Sequence, residues 1–323
     1  MSAAFPLPDP VFPAAHLFRR PPGTRMQLPD LRQIRAFTAV ADEGSFTHAA
    51  RKLSVTQSAI SHSVRALEEQ MDCRLIDRQG KRSTLTLEGE MFLRRCRRVI
   101  HELDLAAREL DGLKGWGQGR IRIGAPPSLC HYLLPKVLRE LRDCFPGCEA
   151  LIESGTTETL VKMLSDFELD VVLGMKMKLD RPLRYEPLFR DRLVFVVAPG
   201  HPWARAGRVD PESLGREQLI VYARATETYR MVEKHFGEIA TRPPLVLGDM
   251  ETIKEMAKVG VGIGIVAAWV ARRELDDGSL VAVAISPPLR REWGVYSLES
   301  KGRSMVEETF VGISRMLGQE FGG

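Results

Sequence analysis

The sequence predicts a protein that is α/β overall and made of three consecutive parts: a small helical head, one long helix, and a domain of alternating strands and helices. Three patterns predict this order. Helices with polar outer faces occupy 31–71, apolar residues recur every three or four positions over 87–113, and short apolar runs alternate with helix-like segments after residue 120. A chain of 323 residues exceeds what one hydrophobic core usually serves, so at least two domains are expected.

The composition is that of a water-soluble globular protein, with 44% hydrophobic and 27% charged residues. No apolar run approaches the roughly 20 residues that a bilayer span needs, so no membrane partner is expected. Residues 1–25 lack the features of a signal peptide, and we expect a disordered N-terminal extension there, a folded part from Met26 and a cytoplasmic location. The net charge of +4 is compatible with nucleic acid but does not by itself indicate it.

The cysteines indicate reduced thiols and no metal site. An odd number without a Cys-x-x-Cys pair is typical of a reducing compartment. The candidate thiol of highest reactivity is Cys130, beside Ser128 at a predicted helix start, which keeps a thiol-based redox sensor open as an alternative function. The five cysteines are Cys73, Cys96, Cys130, Cys144 and Cys148.

The sequence contains no recognisable set of catalytic residues. The glycine-rich run at 259–264 follows a predicted helix and precedes a strand, which is the reverse of a dinucleotide-binding turn. There is no phosphate-binding Walker loop and no Gly-x-Ser-x-Gly motif. We therefore expect no enzymatic activity and no cofactor, although an α/β enzyme stays a rival hypothesis that any observed turnover would revive.

Two short helices are predicted at the start of the head. Apolar residues on one face of 31–41 indicate the first helix, which Gly44 ends. Ser45 or Thr47 then starts a second helix that ends at Leu53. Small residues in the second helix would let a neighbouring helix approach closely.

A third helix has an apolar stripe on one face and hydrogen-bonding side chains on the other. Thr56 is placed to cap it after a three-residue turn, so the second and third helices form a helix-turn-helix. Short donors and acceptors near the start of a recognition helix suit base edges, because they must reach into the major groove. A helix that is polar by chance is the alternative. The polar residues are Gln57, Ser58, Ser61, His62 and Arg65.

A short hairpin with a basic tip follows the third helix. Arg78, Lys81 and Arg82 precede a run at 83–87 that is rich in residues favouring strands. A helix-turn-helix followed by such a hairpin is the layout of a winged helix-turn-helix, which we place at 26–88.

The long helix is predicted as a linker and dimerisation helix over 89–115. Its apolar residues alternate four and three apart for about three heptads, which favours a partner helix and hence a homodimer. A helix packed on its own domain is the alternative. The seam residues are Phe92, Cys96, Val99, Leu103, Ala106, Leu110 and Leu113.

The domain at 120–323 is predicted to contain a largely parallel sheet, because strands and helices alternate. The predicted strands are 121–125, 149–154, 169–174, 192–198, 218–223, 244–249, 261–267 and 279–285. In such sheets a ligand lies beyond the carboxyl ends of the strands. The loops there offer hydroxyls, a nearby arginine and helix starts, which together predict a small, anionic effector.

Each hydroxyl also has a simpler interpretation as an ordinary helix cap, so the prediction depends on their convergence at one end of the sheet. The predicted effector-binding residues are Ser128, Leu129, Thr156, Thr157, Met175, Tyr222, Arg224 and Thr226.

Several short motifs in the head stand at a fixed spacing. They are Ser45-Phe46-Thr47, Ala49-Ala50, the run 53–61, Leu67-Glu68, Leu75, Arg78 and Leu85-Thr86-x-x-Gly89. Looser motifs follow in the second domain. They are Leu133-Leu134-Pro135, Phe145-Pro146, Leu169-Asp170, His201-Pro202 and the run 259–264. In these motifs, the sequence resembles the LysR-type transcriptional regulators over residues 28 to about 315.

Two residues depart from the family pattern. Asp72 stands where the family generally has Gly after the recognition helix, and Ile76 where it generally has Phe. Because Asp tolerates a left-handed helix end less well than Gly, the turn at Asp72 is expected to be strained or rebuilt. His62 also stands where a basic residue is common, so base preference does not transfer at that position.

The resemblance implies an effector domain of two Rossmann-like lobes, similar to periplasmic binding proteins. The first lobe is expected at about 120–188 and again at 290–323, and the second at about 189–287. It also implies a sequence-specific transcriptional regulator that binds double-stranded promoter DNA as a homodimer or homotetramer, with RNA polymerase as a candidate further partner. A small effector between the lobes would modulate promoter binding.

Within that resemblance, the polar residues of the third helix contact bases or nearby phosphates. Thr47 and Arg78 position the DNA backbone, and Lys81 and Arg82 reach toward the minor groove. A small-molecule-binding protein with a vestigial DNA-binding head stays open as an alternative.

Overall fold

The computed structural model describes residues 28–77, 83–112, 118–178, 183–209, 214–236, 242–299 and 302–322. It divides into two compact units, Met1–Cys96 and Arg97–Gly323, which are described separately. Several predictions lie outside the described residues: the N-terminal extension at 1–25, the hairpin tip with Arg78, Lys81 and Arg82, and Leu113 at the end of the long helix.

Three helices with side-chain caps form the head. Helix α1 (Leu31–Glu43) begins at Asp30 and ends at Gly44, whose φ of 59° is left-handed. Helix α2 (Phe46–Lys52) is capped by Ser45, which therefore starts it in place of the alternative Thr47. Helix α3 (Gln57–Met71) is capped by Thr56, whose hydroxyl accepts a hydrogen bond from the Ala59 amide, as predicted.

The apolar stripes of the three helices meet in one small core. Phe37, Ala49 and Val64, one from each helix, are fully buried. Because Ala49 has only a methyl group, the neighbouring helices can approach closely at that point. The stripe of α3 therefore faces the core, and its polar residues face outward.

A two-stranded hairpin follows α3, as the sequence predicts. Strand β1 (Ile76–Asp77) pairs antiparallel with β2 (Thr84–Leu85). The buried carboxylate of Glu68 on α3 accepts hydrogen bonds from the Leu75 and Ile76 amides at 2.9 and 3.0 Å. Since a carboxylate makes charge-assisted bonds to amides, Glu68 fixes the start of the hairpin to α3.

Two backbone positions in the head are tightly constrained. Asp72 adopts the left-handed conformation at the end of α3, with φ 54° and ψ 34°. The turn is thus strained and not rebuilt, because an L-residue with a side chain disfavours this region. At Gly89, a Cβ atom would lie 2.0 Å from the carbonyl oxygen of Leu75, so only glycine fits.

The long helix α4 spans Leu87–Gly112. The predicted seam residues of α4 differ in how far they are buried. Cys96 is buried and Phe92 is half-buried, whereas Val99 and Leu103 are 44% and 48% exposed. Ala106 is also exposed, and the side chain of Leu110 lies outside the described residues. The prediction of a partner helix therefore stays a prediction.

Among the described residues, the second unit (Arg97–Gly323), called the effector unit below, contains nine strands in a continuous network of pairings. The strands are β3 (Gln118–Ala125), β4 (Gly147–Ser154), β5 (Val171–Met175), β6 (Leu183–Val197), β7 (Leu219–Tyr222), β8 (Leu245–Leu247), β9 (Ile263–Ala267), β10 (Val281–Ala284) and β11 (Arg290–Leu298). The prediction of a largely parallel sheet was wrong. Strands β3, β4 and β5 are parallel, as are β7, β8 and β9, but every pairing of β6 and β11 is antiparallel.

The two long strands β6 and β11 connect two lobes. Strand β6 pairs with β11 along 183–192 and with β9 and β10 along 193–197, so one strand serves both lobes. We define lobe I by β3, β4, β5, β11 and the first part of β6, and lobe II by β7 to β10 and the rest of β6. The chain crosses from lobe I to lobe II within β6 and returns between β10 and β11.

Helices cover both lobes. Lobe I carries α5 (Pro127–Tyr132), α6 (Leu134–Cys144), α7 (Thr157–Ser165) and α12 (Met305–Gly318), followed by a 3₁₀ turn at Gln319–Phe321. Lobe II carries α8 (Pro202–Ala206), α9 (Glu227–Phe236), α10 (Met250–Lys258) and α11 (Arg272–Asp276). Buried side chains from both lobes, among them Leu129 and Ile253, share one apolar cluster. Among the described residues, no helix is long and apolar enough to cross a membrane.

Candidate DNA-binding surface and effector cavity

The predicted DNA-contacting residues of α3 come together on its outer face. They line a shallow concavity with Ala66 and Glu69 at its far end. These residues lie on the face opposite the buried Ile60, Val64 and Leu67, because the helical period separates the two sets. The residues on this face are Gln57, Ser58, Ser61, His62 and Arg65.

The start of α3 is suited to a negatively charged partner. No acidic residue lies in its first turn, so nothing neutralises the positive end of the helix dipole. The hydroxyl of Ser58 lies 3.0 Å from that of the capping Thr56, which orients it at the helix start. Thr47 is exposed in the first turn of α2. Short hydrogen-bonding groups, an exposed arginine and a helix start can together contact base edges and phosphates.

In the effector unit, a cavity of about 210 Å³ lies between the two lobes at the ends of the strands. Six of the eight predicted effector-binding residues line it. Ser128 follows β3, Met175 ends β5 and Tyr222 ends β7, so strands from both lobes contribute. The six lining residues are Ser128, Thr156, Thr157, Met175, Tyr222 and Thr226.

Helix starts converge on this cavity from both lobes. Thr156 caps α7 by accepting from the Thr159 amide at 3.2 Å. Thr226 does the same for α9, accepting from the Tyr229 amide at 3.2 Å. Met250, the first residue of α10, also lines the cavity. Each helix start carries amide hydrogens that lack intrahelical partners, which favours an anion, but each also has a glutamate in its first turn that opposes this field: Glu158, Glu227 and Glu251.

Two predicted residues do not line the cavity. Leu129 is fully buried in the shared apolar cluster, because one step along a helix from Ser128 turns a side chain by about 100°. Arg224 is exposed in the turn before α9 and does not line the cavity. The sequence placed it correctly in the loop, but a loop residue can face either the cavity or the solvent.

Arg230 on α9 and Arg291 on β11 both line the cavity, and the sequence analysis missed both of them. The Arg291 guanidinium donates to both oxygens of Asp191 at 2.9 and 2.5 Å and to the Thr228 hydroxyl at 3.0 Å. Arg291 and Asp191 are both almost fully buried and stand directly opposite on β11 and β6. The pair therefore joins the two strands that cross between the lobes. The pattern Arg-Arg-Glu-Trp-Gly in β11 gives no signal of a strand, since it lacks an apolar run.

The rim of the cavity carries an ion pair across the lobes. Arg230 on α9 contacts Glu158 on α7 at 3.0 Å and Glu227 on its own helix at 3.1 Å. These side chains are largely exposed, so the pairs contribute little to stability. Their position at the rim allows a ligand to reorganise them.

The deeper wall is apolar. Met177 and Trp293 join Met175, Tyr222 and Met250 in lining it. Burial, with Asp249 and Cys130 nearby, raises the pKa of Tyr222, so its hydroxyl stays protonated at neutral pH. The cavity thus combines hydroxyls and helix starts with an apolar surface, which suits binding better than bond-making chemistry.

The thiols do not form a redox site in this structure. Within the described residues, the five cysteines are thiols that are not joined in disulfides. Cys130 does not line the cavity, donates to the Ala125 carbonyl at 3.2 Å, and has its pKa raised by burial, so the reactive thiolate is disfavoured. Burial likewise raises the pKa of Cys96 to about 12. Within the described parts of the chain, no group of three or more His, Cys, Asp or Glu side chains is arranged to hold a metal ion.

A winged helix-turn-helix joined to a two-lobed domain with a cavity between its lobes defines a ligand-responsive DNA-binding regulator. Residues 31–90 match the family described as the bacterial regulatory helix-turn-helix protein, lysR family, and residues 115–317 match the LysR substrate binding domain. The chain therefore belongs to the LysR family of transcriptional regulators. The predicted fold class, family and DNA-binding regulatory function are confirmed.

Relatives of known name support this assignment over almost the whole chain. The HTH-type transcriptional regulator CfxR of Cupriavidus necator is 31% identical over 301 residues, which covers 91% of this chain and 95% of CfxR. The RuBisCO operon transcriptional regulator of Allochromatium vinosum is 28% identical, covering 85% of this chain and 91% of that protein. These relatives are transcriptional regulators, which disfavours both the vestigial-head alternative and the enzyme alternative.

Solved structures share the fold. Full-length OxyR of Pseudomonas aeruginosa superposes with a TM-score of 0.71 at 21% identity, covering 90% of this chain and 96% of that one. ArgP of Mycobacterium tuberculosis gives the same TM-score and identity, covering 90% and 98%. At this identity the likeness concerns the fold alone.

Proposed function

We propose that this LysR-type regulator reads promoter DNA with the outer face of α3 and responds to a small anionic effector in the cavity between its lobes. The observation that carries the effector half is the convergence of capped helix starts and hydroxyls from both lobes on one cavity. Backbone amides at helix starts bind anions. Because both lobes contribute to the site, a bound ligand can change how the two lobes are arranged.

On the DNA side, Gln57 and Arg65 are the base-reading residues. Both side chains are exposed on one face of α3, and their planar amide and guanidinium groups suit adenine and guanine edges. Thr47 and Arg78 position the DNA backbone, and Lys81 and Arg82 reach toward the minor groove. The serines and His62 complete the contact surface.

A binding experiment separates base reading from charge. Arg65→Ala is expected to reduce discrimination between a promoter duplex and random duplex by about 1 to 3 kcal/mol, because a bidentate base contact is lost. Arg35→Ala removes the same charge from an exposed position on α1 and serves as the control. Equal losses on promoter and random DNA for Arg65→Ala would remove its base-reading role.

The effector half is tested by thermal unfolding of the full chain against phosphate, sulfate and small carboxylates. A ligand at about 100 times its dissociation constant adds ~2.7 kcal/mol to the stability of the folded state. Ser128→Ala should reduce this shift, since Ser128 lines the cavity. Ser165→Ala is the matched control, because its hydroxyl bonds within α7. No shift with any anion would contradict the anionic assignment.

A partner copy completes the DNA-binding form of the protein. Val99 and Leu103 are apolar, four residues apart on α4, and about half exposed, which supports packing against the same helix of a second copy. Leu103→Glu should shift the molar mass in light scattering toward smaller species. Glu102→Ala, one residue away, is the control. An unchanged molar mass for Leu103→Glu would contradict the proposed packing of α4 against the same helix of a second copy.

The regulated genes are inferred from the relatives. The Allochromatium vinosum relative is named a RuBisCO operon transcriptional regulator and the Cyanidioschyzon merolae relative a probable RuBisCO transcriptional regulator, while CmpR of Synechocystis, 26% identical over 87% of this chain, is named a transcriptional activator. We therefore propose that the target is a metabolic operon and that a RuBisCO operon promoter is the first duplex to test. Acting at a promoter, the regulator would have RNA polymerase as its partner.

A further inference from the structure

A compact polar cluster joins the two lobes behind the effector cavity. Tyr132, the last residue of α5, belongs to lobe I, whereas Lys254 and Glu251 on α10 and Glu274 on α11 belong to lobe II. The carbonyl of Val270, in the loop after β9, completes it. The proposed DNA-binding and effector-binding surfaces do not include these residues.

Lys254 is the centre of this cluster. Its ammonium group lies 3.0 Å from the Tyr132 hydroxyl, 2.9 Å from Glu251, 3.1 Å from Glu274 and 3.1 Å from the Val270 carbonyl. The Tyr132 hydroxyl accepts from Lys254, and its single hydrogen is shared between the Glu251 carboxylate and the Val270 carbonyl, the latter at 2.9 Å. Tyr132 is thus the lobe I member of a network whose other members lie in lobe II.

The centre of the cluster is buried, whereas Glu251 at its edge is 45% exposed, and the charges of the cluster are balanced. The side chains of Lys254 and Glu274 are only 3% and 8% exposed, and Lys258 approaches Glu274 at 3.5 Å. Burial opposes the charge on Lys254, but its hydrogen bonds to Tyr132, Glu251 and Glu274 outweigh this and raise its pKa. Burial, with the bond to Glu251, raises the pKa of Tyr132 to about 12. Breaking such a buried network is costly because each partner is left without its contacts.

One helical turn separates this cluster from the cavity on both sides. Ser128 lines the cavity and Tyr132 lies four residues later on α5; Met250 lines the cavity and Lys254 lies four residues later on α10. Residues four apart lie on the same face of a helix. A rigid shift of either helix at the cavity therefore moves its member of the cluster as well.

We infer that Tyr132 and Lys254 form a latch between the lobes that holds them in the arrangement that forms the cavity and so sets effector affinity. The inference depends on the proposed effector function. A ligand that bridges the lobes binds the latched arrangement better than an unlatched one, and weakening the latch reduces the latched fraction. Tyr132 and Lys254 act as positioning residues and do not themselves contact the effector.

The test compares full-length wild-type protein with Tyr132→Phe and with the control Tyr229→Phe. Phenylalanine keeps the ring of Tyr132, which packs edge-on against Trp269 at 5.5 Å, and removes only the hydroxyl. Tyr229 is buried and its hydroxyl donates to Glu233 at 3.1 Å, but both residues lie on α9 in one lobe. The control thus removes a comparable bond without touching the contact between lobes.

The first readout is amide hydrogen exchange at 155–158, the part of the lobe I cavity wall at the start of α7. These residues do not contact the cluster, so a purely local role for Tyr132 would leave them unchanged. Tyr132→Phe should raise their exchange at least about threefold, since the latched state is less populated. Tyr229→Phe should not. Unchanged exchange at 155–158 in Tyr132→Phe would overturn the latch.

The second readout is the affinity for inorganic phosphate by calorimetry. If wild type binds phosphate, Tyr132→Phe should bind it roughly tenfold more weakly, the factor that one net hydrogen bond to a charged group contributes. Equal affinities would overturn the latch. If neither wild type nor any variant binds an anion in the earlier panel, the anionic effector proposal fails, and the exchange result alone decides the latch.

Discussion

The head and the effector unit build their sites in opposite ways. The residues that we expect to contact bases lie within nine consecutive positions of α3, from Gln57 to Arg65. The effector cavity is lined by segments spread from Pro126 to Trp293, from both lobes. A site on one helix is specified by local periodicity, whereas a site between lobes is specified by how distant strands pair.

The head should lose the most stability when its tightest backbone contact is disturbed. Gly89→Ala would place a Cβ atom 2.0 Å from the Leu75 carbonyl oxygen, so the backbone must move and α3 with its hairpin should lose about 3 kcal/mol of stability, near the upper end for overpacking. Hydrogen exchange of peptides from 57–77 in the full chain measures this loss.

The same substitution at Gly312 on α12 is the control. No atom lies within 4 Å of a Cβ built there, so Gly312→Ala should stabilise its helix by about 0.5 to 1 kcal/mol through helix propensity. Equal and small effects at both glycines would contradict the tight contact at Gly89.

Lowering the pH should destabilise the head and the effector unit to different extents. Among the described carboxyl groups of the head, the pKa of Glu43 lies below its ordinary value, through its hydrogen bond to Lys52. In the effector unit, hydrogen bonds from Lys176 and Arg190 lower the pKa of Glu292, and several other carboxyls are lowered as well. They are Glu186, Asp249, Glu274, Asp277 and Glu320.

The direction follows from linkage. A carboxyl with a lowered pKa in the folded state adds stability above its unfolded value near 4.5, and this stability is lost as the pH falls through the folded value. As the pH falls below about 5, hydrogen-exchange protection should therefore fall earlier in the effector unit than in the head. Earlier loss in the head would contradict this assignment of the carboxylates.

The smallest change in stability is expected for a substitution at the end of α3. Asp72→Gly should stabilise the head by about 0.5 to 1 kcal/mol, because glycine adopts the left-handed conformation at φ 54° without strain. Asp166 ends α7 with φ −91°, so Asp166→Gly should instead destabilise the chain. Hydrogen exchange at the two helix ends gives both values. A loss of protection at Asp72→Gly would show that its side chain has a contact that outweighs the strain.

Much of the head could be predicted from sequence because its signals are local. The caps at Ser45 and Thr56 and the buried stripe of α3 depend on residues three or four apart. The same local reasoning found the hydroxyls that line the effector cavity, since Thr156 and Thr226 are helix caps.

What the sequence missed depends on pairing between distant strands. Strand β11 lies between β5 and β6, and only this placement brings Arg291 into the cavity wall opposite Asp191. Antiparallel pairing of β6 and β11 was likewise invisible to a pattern of alternating strands and helices. Leu129 and Arg224 show the remaining limit: neighbouring positions in a loop or helix start differ in the direction they face.

Selection of bound sequences from a random duplex pool shows directly whether the outer face of α3 reads bases. The full wild-type chain and the Gln57→Ala and Arg65→Ala double variant are used in parallel. A regulator that reads bases with α3 should enrich one motif, present as two half-sites if two copies bind together, and the double variant should lose that enrichment while still binding DNA at low salt. Equal enrichment by both proteins, or none by wild type, would contradict the assignment of base reading to α3.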